Sequence, residues 1–475
     1  MSRSSNPPSH YDLLVIGSGP AGQKAAVQGA KGGMKVGIVE RERKVGGACV
    51  HRGTIPSKTL RETALNLSRL KRNPVLKVEL PEDLQVSSLI HRMESVVRGH
   101  VEYMESQLSR NAIVRFHGRA RFLSRRKVEI EAIDGSNQTL SADFIVVATG
   151  SRPRRPADIP VDHEYILDSD SILSMLYLPQ SLTVLGGGVI ASEYASILGE
   201  LGVRVTMIDR SNRPLRFMDP ELTDRFLRSF ERRGGKYLGN RQIEEVCWDG
   251  VDRVVTRLKD GQRVEGEKML VALGRVANLE GLNIEAAGLG VTQRGVLEVD
   301  EHCCTAVPHI YAAGDVIGPP SLAATSMEQG RRAACHALGI QPGSHWTTIP
   351  IGVYTIPEMA SVGLSEKEAA QCPAGALVGR AAFDELARGQ ISAIQNGFLK
   401  LVADRHGKGV LGVHIVGEGA TELIHLGQMG ILFECCVGAF VENIFNFPTM
   451  AEAYRVAALD IANQSSQQSR ISAVG

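Results

Sequence analysis

The sequence of 475 residues lacks long apolar runs and has no excess of charge of either sign. No stretch approaches the ~18 apolar residues that a membrane-spanning helix requires, so we expect no membrane anchor. The formal net charge is only +1, which argues against nucleic acid or an anionic membrane as the main partner. Residues 1–10 are polar and contain no apolar core, so a secretion signal is not expected.

Cysteine is sparse and irregularly placed. The eight cysteines follow no repeated spacing, which argues against a disulfide scaffold and a zinc site, and we expect no bound metal. We interpret the adjacent pairs Cys303–Cys304 and Cys435–Cys436 as buried small apolar residues. A chain without a disulfide framework fits a reducing compartment, so we predict a cytoplasmic protein.

Glycine is abundant, with 50 residues, and its positions indicate nucleotide-binding turns. Leu13–Ile16 is an apolar run that stops at the turn Gly17–Gly22, and a helix-like segment and a second apolar strand then lead to Glu40. Strand, glycine turn, helix, strand and acid make up the dinucleotide-binding unit. Its helix N-terminus offers N–H groups to phosphates, and Glu40 lies where the hydroxyl pair of a ribose would be accepted.

The same unit recurs in the middle of the chain. Thr183–Leu185 leads into Gly186–Gly188, and a further apolar strand ends at Asp209. The first glycine and the acid are 23 residues apart in both units, from 17 to 40 and from 186 to 209. Two matching units predict two dinucleotides bound side by side. Asp143–Gly150 and His309–Asp315 each contain one more buried strand that ends at a glycine.

Three other segments complete the organisation. We predict that Arg152–Pro156 is a charged linker between domains, and that the basic run Arg119–Lys127 is a solvated strand face. Alternating apolar residues at 397–402 and 410–416 predict an antiparallel α+β domain over the last ~130 residues.

One stretch carries a specific resemblance. Val45–Lys58 reads VGGACVHRGTIPSK and resembles the redox-active segment of the flavoprotein disulfide reductases. Together with both glycine units and Ala312–Asp315, it makes nearly the whole chain similar to the class I, FAD-dependent pyridine nucleotide-disulfide oxidoreductases. The resemblance implies an α/β fold with two dinucleotide-binding (Rossmann-like) domains plus a C-terminal α+β dimerisation domain. The implied domains are FAD-binding (1–155 and 276–345), NAD(P)-binding (156–275) and interface (346–475).

The resemblance also implies roles for single residues. Lys58 would lie near the reactive nitrogen of the flavin and pair with Glu193, and both are predicted to be catalytic because a fixed ammonium stabilises negative charge on the ring. The first glycine unit would hold the adenosine half of non-covalent FAD, and Asp315 its ribityl chain. The predicted cofactor-binding residues are Gly17, Gly19, Pro20, Gly22, Glu40, Arg41, Gly47, Cys49, Thr54, Lys58, Thr149, Gly150, Gly186, Gly188, Ile190, Glu193, Asp209, Arg210, Gly274, Gly314 and Asp315.

Two departures from the disulfide reductases stand out. The position of their second redox cysteine, five after Cys49, holds Thr54, whose hydroxyl cannot supply a thiolate. Their C-terminal acid–base histidine is replaced by Phe447, which cannot exchange a proton. Because the second thiol and the base are both absent, the half-reaction in which a disulfide is reduced is not expected. We interpret Glu452, in the same segment, as structural.

This pattern resembles the soluble pyridine nucleotide transhydrogenases, at Gly53–Lys58 and at Asn446–Ala458. The resemblance implies an NAD(P)⁺ transhydrogenase of the Si-specific kind, which moves a hydride from NADPH to FAD and then to NAD⁺ and so balances the two pools. One nicotinamide pocket would serve both carriers, so the course would be ping-pong. A homodimer or larger homo-oligomer is also implied.

Cofactor preference is expected to depend on Asp209. An acid there favours the ribose hydroxyls of NAD and repels the 2′-phosphate of NADP, which Arg210 or Arg213 could bind instead. Alternatively, Arg210 and Arg213 are only solvent-exposed residues of a loop, and this alternative stays open.

Two other functions remain as alternatives. Thr54 and Phe447 argue against a reductase of the dihydrolipoamide dehydrogenase kind, and mercuric reductase would need a cysteine pair in the tail after Cys436. A non-catalytic flavin redox sensor would not need the pair of Lys58 and Glu193. The sequence leaves the role of Cys49 and the direction of net flux open.

Overall fold

The structure, a computed structural model, describes residues 9–71, 86–343, 348–372, 375–394 and 396–474. Within these ranges no helix is long and apolar enough to span a bilayer. All eight cysteines are free thiols.

The first sheet is built around the first glycine unit. Its elements are β1 (His10–Ile16), α1 (Pro20–Lys31), β2 (Val36–Glu40), α2 (Gly47–His51), α3 (Thr54–Lys71), α4 (Val86–Arg110), β3 (Val114–His117), β4 (Arg119–Ser124), β5 (Lys127–Glu131) and β6 (Asn137–Val147). The strand order is β3-β2-β1-β6-β5-β4. Successive residues of β1 enter cores on opposite faces, with Leu13 and Val15 on one side and Leu14 and Ile16 on the other. An uninterrupted apolar run therefore fits a parallel strand that is buried on both faces.

The second sheet is wholly parallel and contains the second glycine unit. The elements of this part are β7 (Ser151–Pro153), β8 (Ile166–Asp168), β9 (Ser181–Leu185), α5 (Val189–Glu200), β10 (Arg204–Ile208), α6 (Pro220–Arg232), β11 (Lys236–Leu238), β12 (Ile243–Trp248), β13 (Val254–Leu258), β14 (Arg263–Gly266), β15 (Lys268–Val271) and β16 (Arg275–Ala277). The strand order is β11-β10-β9-β15-β8, and β12–β14 form a separate antiparallel sheet. β7 pairs with β16, so Arg152 and Pro153, the first residues of the predicted linker, lie in a strand.

The last part returns to the first sheet and then forms an antiparallel sheet. Its elements are β17 (Ile310–Ala312), α7 (Ala323–Ala337), β18 (Ile351–Val353), β19 (Met359–Gly363), α8 (Glu366–Ala370), β20 (Ala376–Ala382), α9 (Ala387–Ile391), β21 (Phe398–Asp404), β22 (Val410–Val416), α10 (Ala420–Leu432), α11 (Val437–Glu442) and α12 (Glu452–Val474). β17 pairs in parallel with β6, so the first sheet takes strands from both sides of the second unit. The order β18-β19-β22-β21-β20 confirms the predicted antiparallel α+β part.

Short 3₁₀ helices cover Ile172–Ser174, Ile284–Ala287, Asp315–Ile317 and Phe383–Glu385. The predicted solvated face is confirmed, because every arginine of the run Arg119–Lys127 is exposed on β4 or the turn to β5.

Apolar contacts join the three parts of the chain. Val353, Met359 and Phe398 of the third sheet belong to the core of the second. Helix α3 of the first part packs on α5 of the second, where Ala64 meets Ile197 in a small buried cluster. This packing places the start of α3 beside the start of α5.

The interpretation of the cysteine pairs is half right. Cys303 and Cys304 are buried, as predicted. Cys435 is half-buried and Cys436 is exposed, so the prediction is wrong for this pair. Both lie in the connection between α10 and α11, where Cys436 precedes the first residue of α11 and the chain runs over the surface.

Candidate active site

Both glycine turns fold in the same way. Gly17 has a φ of +103° and Gly186 a φ of +112°, a backbone region that favours glycine, and a Cβ at Gly17 would overlap the carbonyl oxygen of Ala148. Gly19 precedes α1 and Gly188 precedes α5, and no side chain caps either helix. The first N–H groups of each helix are therefore free to bind phosphate oxygens.

The acid of the first unit is tied to its glycine turn. Glu40 Oε2 accepts the backbone N–H (2.9 Å) and the hydroxyl (2.6 Å) of Ser18, and Oε1 accepts the N–H of Glu42 (2.9 Å). A cavity of about 90 Å³ opens here, lined by Glu40 and by Phe116 and His117 at the end of β3. These hydrogen bonds fix the orientation of the Glu40 carboxylate, which lines the cavity.

The segment that resembles a redox site lies directly on the first glycine turn. The N–H of Gly46 donates to both oxygens of Ser18, at 3.2 Å each. A Cβ at Gly47 would come within 2.9 Å of the Cα of Gly19. Cys49 follows on α2, and α3 begins at Thr54.

Cys49 lies beside Thr54, close enough for the Thr54 hydroxyl to stabilise a thiolate at this position. Burial raises the pKa of Cys49, and this exceeds the opposite effects of the Thr54 hydrogen bond and the Lys58 charge. The sulfur is therefore a neutral thiol near neutral pH. Neither member of this pair supplies a thiolate.

An ion pair joins the first two parts of the chain. Lys58 Nζ lies 2.7 Å from Glu193 Oε2, which confirms the predicted pairing. The side chain of Glu193 is only 5% exposed. Its other oxygen accepts the backbone N–H of Tyr354 (2.9 Å), and the Tyr354 ring centroid lies 4.8 Å from Lys58 Nζ. Tyr354 was not predicted, because it follows β18 far along the chain and belongs to no motif.

A series of hydrogen bonds holds Asp315 in place. Its Oδ2 accepts the Ser151 hydroxyl (2.6 Å), and Ser151 Oγ accepts the Nε–H of Arg275 (2.8 Å). Arg275 also donates to the carbonyl of Ser151 (2.8 Å). These bonds connect the first residues of β7 and β16 to the segment after β17 and fix the Asp315 carboxylate. Sequence reasoning missed Ser151 and Arg275, although each directly follows a predicted glycine.

The acid of the second unit is also held in place. Asp209 Oδ1 accepts the N–H of Arg210 (2.9 Å), and Oδ2 accepts the Tyr237 hydroxyl (3.2 Å). A Cβ at Gly187 would overlap Oδ2, so the carboxylate lies against the glycine turn. It occupies the place from which it can accept ribose hydroxyls of a nucleotide on that turn.

The two candidate arginines differ. Arg213 forms an ion pair with Asp224, at 3.0 Å. Arg210 is exposed, and its guanidinium has no ion-pair partner among the described residues. The geometry therefore leaves Arg210 the freer of the two.

Two protein-family models together match most of the chain. The family model described as pyridine nucleotide-disulphide oxidoreductase matches residues 11–330, and the model of that family's dimerisation domain matches residues 349–458. The chain belongs to this family.

Individual members of the pyridine nucleotide-disulphide oxidoreductase family match along most of the chain. The soluble pyridine nucleotide transhydrogenase of Yersinia enterocolitica is 41% identical over 462 residues, covering 96% of this chain and 98% of that protein. That of Mycobacterium bovis is 41% identical over 458 residues, covering 96% and 97%.

Solved structures show the same architecture. LpdA from Mycobacterium tuberculosis has a TM-score of 0.88 at 28% identity and covers 95% of this chain and 99% of its own. The HOCl-induced flavoprotein disulfide reductase RclA from Escherichia coli has a TM-score of 0.86 at 24% identity, covering 94% and 99%, and shows the fold alone.

The residues around the first turn fit FAD, as expected for the pyridine nucleotide-disulphide oxidoreductases. Gly17 leaves no room for a side chain. Gln23 Nε2 and Thr149 Oγ1 are buried without a hydrogen-bond partner among the described residues. Buried polar atoms of this kind call for a polar ligand.

The structure places the predicted residues in three groups, and their binding roles stay predictions. Those around the first turn are Gly17, Gly19, Pro20, Gly22, Glu40, Arg41, Gly47, Cys49 and Thr54. Those around the second are Gly186, Gly188, Ile190, Asp209, Arg210 and Gly274. Those at the ends of β6 and β17 are Thr149, Gly150, Gly314 and Asp315. Lys58 and Glu193 join the first two groups. The guanidinium of Arg41 lies 3.7 Å from Glu42, and its side chain is half exposed.

Proposed function

We propose that this protein is an FAD-dependent transhydrogenase that passes hydride from NADPH to NAD⁺ by a ping-pong course, on the Si face of the nicotinamide. The names of the relatives at 41% identity support this reaction. The observation that carries it is the pairing of Cys49 with Thr54, where a disulfide reductase needs two sulfurs. The flavin site of the family is kept while its disulfide is absent.

Lys58 and Glu193 are the proposed catalytic residues. Bound FAD would accept a hydride from one nicotinamide and donate it to the other. The Lys58 ammonium, held by a nearly buried carboxylate, supplies a fixed positive charge that stabilises negative charge developing beside it. The hydrogen bond from the Tyr354 N–H holds the Glu193 carboxylate in position beside that ammonium. The neutral Cys49 thiol does not compete as a nucleophile.

A single pocket for both nicotinamides supports the ping-pong course. The first glycine turn carries the residues that fit FAD, which leaves one glycine turn among the described residues, that of Gly186–Gly188. NADP⁺ would have to leave before NAD⁺ enters.

We also propose a homodimer, formed through the third part of the chain. Apolar side chains are exposed along α10 and the connections after it, with Phe433 67%, Ile444 92% and Phe447 69% exposed. Faces of this kind mark protein interfaces. Light scattering should give twice the chain mass, and Ile444→Glu should reduce that mass, whereas a monomeric parent protein would contradict the dimer.

We further propose that the protein acts in the cytoplasm. Its eight cysteines are free, which fits a reducing compartment. Detection in an extracellular or periplasmic fraction would contradict this location.

The deciding experiment is hydride exchange between NADPH and thio-NAD⁺ by the purified FAD-loaded protein. We expect sustained turnover without any disulfide substrate, and deuterium transfer from the Si face of C4. Lipoamide and glutathione disulfide should not be reduced. Turnover with a disulfide but not with thio-NAD⁺ would instead support the reductase. Flavin reduction by NADPH without turnover would support the redox sensor.

A further inference from the structure

The carboxylate of Asp209 is held by two hydrogen bonds next to the glycine turn. The N–H of Arg210 donates to one oxygen and the hydroxyl of Tyr237 to the other, and a Cβ at Gly187 would overlap this second oxygen. A carboxylate held in this way loses little side-chain freedom when a ribose binds, so its contribution to nucleotide binding is preorganised.

Tyr237 reaches this position from the edge of the second sheet. It lies on β11, which pairs in parallel with β10, the strand that ends before Asp209. Its hydroxyl also lies 3.0 Å from the carbonyl oxygen of Ser211, which accepts the N–H of Asn240 as well. The phenol therefore lies between the acid and the loop that carries the candidate arginines, within hydrogen-bond distance of both.

The phenol is a dependable donor. Burial raises the pKa of Tyr237, and the nearby Asp209 carboxylate raises it further. The hydroxyl therefore keeps its hydrogen throughout the neutral range. Of the two acceptors of this hydrogen, the Asp209 carboxylate carries the charge, so the hydrogen bond to Asp209 is the charge-assisted one.

We propose that Tyr237 is a positioning residue for dinucleotide selectivity: it holds the Asp209 carboxylate against the glycine turn and thereby favours NAD over NADP. This inference rests on the proposed function, since it assigns both dinucleotides to the second unit. Without the hydroxyl, the carboxylate can rotate away from the turn. The ribose hydroxyls of NAD then lose an acceptor, while the 2′-phosphate of NADP loses a repelling charge.

The test is Tyr237→Phe in the FAD-loaded protein, with the dissociation constants of NAD⁺ and NADP⁺ measured by calorimetry. Because the hydroxyl acts through Asp209, we expect the NAD⁺ constant to rise about three- to tenfold, less than for a direct charged hydrogen bond. The NADP⁺ constant should stay the same or fall.

Tyr177→Phe is the matched control. Its phenol lies beside Glu267, and the two residues precede β9 and β15, neighbouring strands of the same sheet, at the end of these strands opposite to Asp209. The same chemical change there should leave both constants unchanged. An equal rise for both dinucleotides in Tyr237→Phe, or no change in their ratio, would overturn the inference.

A double-mutant cycle between Tyr237 and Asp209 distinguishes a positioning role of Tyr237 from a merely structural one. In an Asp209→Ala background, Tyr237→Phe should not change the NAD⁺ constant further, and an additive effect would contradict the inference. If the parent protein binds neither dinucleotide, the inference and the proposed function both fail. If it binds both but exchanges no hydride, and the ratio moves as expected, only the proposed function fails.

Discussion

Lys58 and Glu193 are 135 positions apart in the sequence, yet Lys58 Nζ lies 2.7 Å from Glu193 Oε2. Each is near the start of its helix, and the contact between α3 and α5 brings the two starts together. Glu193 is nearly buried and also accepts the Tyr354 N–H, so both of its oxygens have a hydrogen-bond donor. The Lys58 ammonium is therefore held in a fixed position between the two glycine units.

Lys58→Met should lower the rate of NADPH-to-NAD⁺ exchange at saturating substrate by about 10²-fold, the usual effect of removing one charge-stabilising donor. Lys58→Arg should recover part of the rate, because it retains the charge. Lys31→Met, at the exposed end of α1, is the control and should have no effect. An unchanged rate in Lys58→Met would contradict the catalytic role.

Cys49 should be a poor nucleophile. Since burial raises its pKa above the ordinary 9.0, the thiol stays neutral below that pH, and its alkylation should accelerate only above it. Iodoacetamide labelling followed by mass spectrometry should therefore modify Cys49 more slowly in the folded protein at neutral pH than after unfolding in urea. Cys49→Ser should leave exchange nearly intact, and a large loss of turnover would show that the sulfur is catalytic.

Arg210→Ala should raise the Michaelis constant for NADPH by about ten- to a hundredfold, because a charge-assisted bond to the 2′-phosphate contributes roughly 1.5–3 kcal/mol. The constant for NADH should hardly change. Arg213→Ala should have the smaller effect, since Arg213 is already paired with Asp224. Asp209→Ala should weaken NADH and spare NADPH. If the double arginine variant keeps the parent NADPH constant, the phosphate is bound elsewhere.

A buried lysine couples the second and third parts of the chain. Lys400 Nζ lies 3.0 Å from Asp219, and 2.8 Å from both Glu221 and Glu366. Lys400→Ala should lower the free energy of unfolding by about 3–5 kcal/mol in urea titrations, because it leaves buried carboxylate charge unpaired. Lys259→Ala, at an exposed turn, should change it by less than about 0.5 kcal/mol. Equal values for the two variants would contradict this account.

The same network predicts a loss of stability in acid. A hydrogen bond from Arg380, together with Lys400, lowers the pKa of Glu221 to about 2. Because the pKa is lowered, the stabilisation is fully present above the ordinary value of 4.5 and disappears as the pH falls towards 2. Glu221→Gln should therefore make unfolding less dependent on pH in that range, and an unchanged dependence would contradict the assignment.

The sequence by itself determined the parts of the protein that depend on local backbone requirements. Gly17 and Gly186 adopt positive φ angles, and the apolar runs before them are buried strands, so both turns could be predicted from residue type and spacing. The replacement of a sulfur by Thr54 and of a base by Phe447 could likewise be recognised without coordinates, because each changes the available chemistry at one position.

Only the tertiary structure decided which distant residues complete the sites. Tyr354, Ser151, Arg275 and Tyr237 belong to no sequence pattern, since a single hydrogen bond to a residue on another strand or helix leaves no periodicity in the chain. The exposure of Cys436 was misjudged for a related reason. Cysteine is usually buried, and only the path of the chain between α10 and α11 places this one at the surface. Residue type dictates local conformation and chemistry, whereas packing between sheets dictates which side chains meet.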